Sequence, residues 1–142
     1  MALANISVKG LDPLGEAFKL AGRDAPIYGQ QALFEEAQEA FRLSQQVVPV
    51  DTGVLRSSGN VTQYRTGNVA HAWIRYGGAA AGYAIYVHEI PPNSGGRWDT
   101  GNKHASPTQW KFLERPVKLY SKGMADRMRV RVLDMINRRF AI

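Results

Sequence analysis

The chain contains no cysteine. That excludes disulfides, thiolate metal sites and cysteine nucleophiles together, and it fits assembly in a reducing cytoplasm. No apolar run approaches the ~20 residues a membrane helix needs, so no membrane contact is expected. Only three histidines are present, and they do not by themselves make a site. Neither a G-x-S-x-G nucleophile turn nor the Gly-Lys-Ser/Thr ending of a P-loop occurs. No catalysis, cofactor or metal is therefore expected. Met1-Ala2-Leu3-Ala4-Asn5 has no basic region followed by an apolar run, so no secretory signal is expected. Internal repeats are also absent.

What remains is an ordinary globular composition. The 142 residues, 44% hydrophobic and 21% charged, suit one domain with a real core over residues 1–142. The net charge of +6 is uneven. Residues 1–71 carry six Lys/Arg and seven Asp/Glu, whereas residues 72–142 carry twelve and five. The basic half could meet nucleic acid, an acidic partner or water, and a solvated helix face is the commonest outcome.

Asn5 to Lys9 alternates like a short strand. Leu14 to Ala21 has helical spacing, with Asp12 as N-cap and Pro13 at the first helical position. Gly22 to Pro26 is expected to break or bend that helix. Ile27 to Val48 is a long amphipathic helix. Its apolar side holds Leu33, Ala37, Ala40, Phe41, Ser44 and Val48, and Glu35, Glu36, Glu39 and Arg42 lie opposite. Glu35 and Glu39, four apart, form a carboxylate pair. Enzymatic pairs usually come from different elements around a cleft, so a solvated face is the better reading.

The chain turns at Val48-Pro49-Val50-Asp51-Thr52-Gly53-Val54-Leu55-Arg56-Ser57-Ser58. Pro49 ends the helix, Asp51 can bond a backbone N–H further on, and Gly53 tolerates positive φ. Gly59 to Arg65 and Val69 to Gly77 then read as two strands joined by Arg65-Thr66-Gly67-Asn68, a β-hairpin. Gly77 to Gly82 reads as a flexible connector. Tyr83 to Glu89 alternates and is expected to be a third strand of the same sheet. His88-Glu89 lacks the second histidine of a zinc H-E-x-x-H motif, because position 92 is Pro92. Asp99 and His104 could join the pair, but that spacing matches no zinc signature.

Residues 90–107 read as a long loop, and a loop this long in a compact domain is usually functional or disordered. Trp98, Arg97, Lys103 and His104 are its large side chains, of the kind that anchors interfaces. Thr108 to Arg115 reads as a short helix. From Val117 a second long helix runs nearly to the end. Its buried stripe is Tyr120, Met124, Met128, Val132, Met135, Ile136 and Phe140. Arg127, Arg131, Arg138 and Arg139 are candidates for a basic surface. The fold class that follows is α+β, a small antiparallel sheet packed against two long helices.

Three blocks in this order carry a resemblance. Val48 to Ser58 resembles the P-x-D-T-G-x-L-R-x-S signature of the tail-completion and neck proteins of long-tailed bacteriophages. Tyr83-Ala84-Ile85-Tyr86-Val87-His88-Glu89 and Lys111-Phe112-Leu113-Glu114-Arg115-Pro116 match that family's second and third blocks. The resemblance implies a structural virion protein of the neck, assembled in the host cytoplasm, that joins tail to head as a ring. The ring is expected to be a hexamer contacting head-completion and tail-tube or tail-terminator proteins, with genomic DNA passing its lumen. Candidate contact residues are Asp51, Thr52, Gly53, Arg56, Tyr86, His88, Arg97, Trp98, Lys103 and His104. The alternatives are a tail terminator ring and a basic nucleic-acid-binding module. Against the last, no helix-turn-helix, zinc-finger or RNA-recognition signature appears, and the basic residues lack interleaved exposed aromatics.

Overall fold

A computed structural model describes residues 11–50, 52–89, 91 and 109–140. The strand expected at Asn5 to Lys9 lies outside them, as does the 90–107 loop apart from Pro91. The fold is mixed helix and hairpin, with a long helix packed against a two-stranded antiparallel sheet.

Helix α1 spans Leu11–Val47, 37 residues, or about 55 Å at the α-helical rise. Pro26 lies inside it, so the break expected at Gly22 to Pro26 does not occur. Proline removes one i→i−4 bond and crowds one carbonyl. Helical spacing on both sides carries the chain through that single loss. Further along, Ala32, Glu36, Ala40, Ser44 and Val48 are all buried. They form a four-residue ridge of mostly small side chains, which lets other elements approach α1 closely. Val48 N–H still bonds Ser44 O, at 2.9 Å, before Pro49 ends the helix.

Gly53 then takes the positive φ expected of the corner, while the bond expected of Asp51 lies outside the described residues. Gly53 has φ +81°, the left-handed region where a Cβ is unfavourable. Its carbonyl accepts from Ser57 N–H at 2.9 Å and opens the single-turn helix α2 (Val54–Ser57), which buries Leu55. Strands β1 (Asn60–Thr66) and β2 (Val69–Arg75) pair antiparallel from Asn60 opposite Arg75 to Thr66 opposite Val69. Gly67, at φ +58°, supplies the two-residue turn with Asn68. One face of this hairpin packs on α1.

The glycine-rich connector is an ordered 3-10 turn (Gly78–Ala80), and Ala80 is fully buried. The third strand is not found. Ala81–Glu89 is helix α3. Its buried positions, Ala84 and Val87, follow Ala80 at helical steps, while Ile85 is 70% exposed. A short apolar run fits both periods, and burial of one helical edge decided between them.

The helix expected over Thr108 to Arg115 is displaced. Trp110 to Leu113 form turns, with Lys111 at φ +56°, and helix α4 covers Glu114–Tyr120. Pro116 falls within its first turn, where a missing N–H costs little. The expected continuous C-terminal helix is also interrupted. Ser121 to Gly123 is a turn, Gly123 has φ +72°, and helix α5 (Met124–Phe140) follows. The expected apolar stripe of α5 is only half covered, and no residue of α5 is buried. The helix lies along α1.

Candidate functional site

The three blocks singled out in the sequence meet in space. Val48 and Leu55 from the first, Ala84 and Val87 from the second and Phe112 from the third form one buried cluster with Ala80. Val47, Tyr76, Tyr83 and Leu113 pack against it. Phe112 is its largest fully buried side chain. Tyr76 and His88 both meet the Phe112 ring edge to face, at 5.1 Å. Backbone bonds tie the blocks as well. Gln109 N–H donates to Val47 O at 2.9 Å, and Lys111 N–H to His88 O at 2.8 Å.

Above this core lies a charged network. His88 accepts at Nε2 from Glu114 N–H (3.3 Å), which leaves Nδ1 to donate to Glu89 Oε1 (2.7 Å). The Lys111 ammonium sits 2.7 Å from a carboxylate oxygen of both Glu89 and Glu114. Glu89 is held below the ordinary carboxylate range by Lys111 first and His88 second, and Glu114 by Lys111. The same contacts, Glu114 first, raise Lys111. The left-handed backbone at Lys111 sits at the turn that swings its side chain between the two carboxylates.

Two hollows flank the network. One, about 180 Å³, is lined by Tyr76, Ala84, Ile85, His88, Phe112 and Leu113 beside Glu89. The other, about 320 Å³, lies between Ala72 and Ile74 of β2 and His88, Leu113, Glu114 and Val117. Fixed charges beside apolar hollows make a surface suited to recognition, with its polar groups held by one another.

The expected contact residues divide. Thr52, Gly53, Arg56, Tyr86 and His88 are described; Thr52, Arg56 and Tyr86 are exposed. Asp51, Arg97, Trp98, Lys103 and His104 lie outside the described residues, as does Asp99. Among the described residues, no group of three His, Cys, Asp or Glu side chains is placed to hold a metal ion.

The basic residues of α5 divide too. Arg127 and Arg131 turn inward to Glu36, which is 0% exposed and not on a solvated face as its spacing suggested. Arg127 also donates to the carbonyls of Tyr120 and Lys122 and lies 4.1 Å from the Tyr120 ring centroid. Arg131 adds Glu35 at 2.6 Å. Arg138 pairs with Asp134, and Arg139 is exposed. Glu39 pairs with Arg42, whose hydrogen bond lowers its pKa. Sequence spacing placed Glu36 beside its acidic neighbours and gave no sign of its burial. The signal was its place four residues from Ala32 and Ala40.

Compared with known proteins, the chain matches no family model, no curated protein and no solved structure.

Proposed function

We propose that this chain is a structural subunit of the neck of a long-tailed bacteriophage, completing the tail and joining it to the head by assembling into a ring. The observation that carries this reading is the meeting of the three resembling blocks in one core around Phe112. The first and third blocks lie more than fifty residues apart in sequence, and their joining with the second in one cluster supports reading the three as one unit. The surface supports association. Ile85, Tyr86, Leu119, Val130 and Leu133 are large apolar side chains left exposed.

A ring subunit needs two unlike faces that close under rotation. The α3–α4 side, with its hollows and carboxylates, would provide one, and the outer side of α5, with Val130, Leu133 and Arg129, the other. In this reading the partners are further copies, a hexamer being the expected order, together with the head-completion and tail-tube or tail-terminator rings above and below. Genomic DNA would pass through the lumen of a virion assembled in the host cytoplasm.

Mass measurement and electron microscopy of the purified protein test this, alone and added to particles that lack it. A closed ring that seats on the connector and lets tails attach is the expected result. A protein that stays monomeric at all concentrations, and neither binds nor rescues such particles, would sink the reading.

A further inference from the structure

The hairpin has a face that the core does not use. Alternation along the register puts Asn60, Thr62, Tyr64 and Thr66 of β1 opposite Arg75, Trp73, His71 and Val69 of β2. All of these but His71 are exposed, Tyr64 at 43% and Trp73 at 45%. Their side chains form a column. Tyr64 stacks on His71, centroids 4.5 Å apart and planes 7° from parallel, and Trp73 lies 6.2 Å from Tyr64. The Arg75 guanidinium covers Trp73 at 4.4 Å from the ring centroid.

The electrostatics around the column are one-sided. From Thr52 to His88 the chain carries three arginines and no carboxylate. Several arginines elsewhere face acids: Arg42 has Glu39, Arg127 and Arg131 have Glu36, and Arg138 has Asp134. Arg75 rests on an aromatic ring and has no acidic partner among the described residues. Aromatic and basic residues that are separated along the chain come together here through strand pairing.

We propose that this outward hairpin face binds single-stranded nucleic acid. The face offers ring surfaces, an uncompensated cation, and the hydroxyl and amide groups of Thr62, Thr66 and Asn60. Its only aliphatic side chain is Val69, which suits a polyanion with flat bases better than the apolar centre of a protein interface. A base stacks on Trp73 in place of the Arg75 guanidinium, and the released Arg75 reaches a phosphate. The inference is independent of the ring reading and stands or falls separately.

The test is fluorescence anisotropy of a labelled oligothymidylate of about fifteen nucleotides, a length within the usual span of stacking platforms. The full chain is titrated at several salt concentrations. Binding that weakens with salt is expected. Trp73→Ala weakens it about ten-fold or more, and Trp73→Phe restores most of the affinity. Tyr64→Ala, on the facing strand, shifts it in the same direction and keeps the test decisive if Trp73→Ala loosens the hairpin. Arg75→Gln lowers the log–log salt slope by about 0.7, the loss of one phosphate contact. Arg139→Gln, on exposed α5, leaves binding unchanged. Four outcomes overturn the proposal. These are no binding at low salt, tighter binding to duplex that ignores Trp73→Ala, loss through Arg139→Gln instead, and a change in oligomeric mass by Trp73→Ala with oligonucleotide affinity intact. The last would assign the face to protein contact.

Discussion

Besides packing on the hairpin, helix α1 is gripped at two further places, and the two grips use different physics. Near its C-terminal end it joins an apolar cluster in which Phe112, Val48, Leu55 and Val87 exclude water. Nearer the middle of α1, α5 is held through Glu36, a fully buried carboxylate reached by Arg127 and Arg131. No residue of α5 is itself buried. The first grip gains from area removed from water and needs little directional precision. The second gains only while both charges stay paired, since an isolated buried carboxylate carries a large desolvation penalty. The apolar grip should therefore set global stability, and the ionic one should fix where α5 lies.

The sharpest way to break the comparison is Phe112→Ala. It should cost about 3–5 kcal/mol in denaturant unfolding, through lost burial and the cavity left behind. Hydrogen-exchange protection should fall in α1, α2 and α3 together. Glu36→Ala should cost less, about 2 kcal/mol, because the arginines it strands are themselves about one-third exposed and find water. Its signature is regional, with faster exchange in α5 and near-normal exchange in α3. Equal loss of protection in both regions would show that the two grips are a single cooperative unit.

Tyr76 sharpens the boundary between them. Its hydroxyl lies 2.9 Å from that of the buried Ser44 and accepts from Gln45 Nε2 at 3.1 Å. Tyr76→Phe leaves the Ser44 hydroxyl without that partner, a cost of about 1–2 kcal/mol. Burial raises the Tyr76 pKa above its ordinary 10.0. The folded state then holds the phenolic proton longer than the unfolded chain does. Stability from this group is complete below about pH 10 and is lost as pH rises through the folded pKa. Subtracting the alkaline unfolding curve of Tyr76→Phe from that of the native chain should isolate this slope, and identical slopes would contradict it. Gly53→Ala should have the smallest effect, about 1 kcal/mol, from forcing a Cβ into the left-handed region. An unchanged melting curve would mean that the corner relaxes freely.

Much of the apolar grip was legible in the chain. The 27–48 spacing, Pro49 with Gly53, and the Gly67-Asn68 turn each act through local sterics within a few residues. Those local rules gave the end of α1, the corner and the hairpin. Tyr83 to Glu89 misled because its run of five aliphatic and aromatic side chains, Tyr83 to Val87, satisfies a two-residue and a 3.6-residue repeat alike. The ionic grip was legible only in the place of Glu36 four residues from Ala32 and Ala40. Glu36 looks like Glu35 and Glu39 on a helical wheel, and its partners lie more than ninety residues away. The candidate site shared this split. Its residues stood out by pattern, whereas the left-handed turn at Lys111 and the bridge to Glu89 and Glu114 did not.

The sequence by itself determined what short-range geometry can enforce: the end of α1 at Pro49, the corner at Gly53, and a hairpin turning at Gly67-Asn68. Only the tertiary structure decided which side chains are dry. Burial depends on what another part of the chain places on top of a residue, and charge, stacking and hollows follow from burial. Glu36 acquired its arginines, and Trp73 was left with its exposed ring and Arg75, through packing that no neighbouring residue encodes.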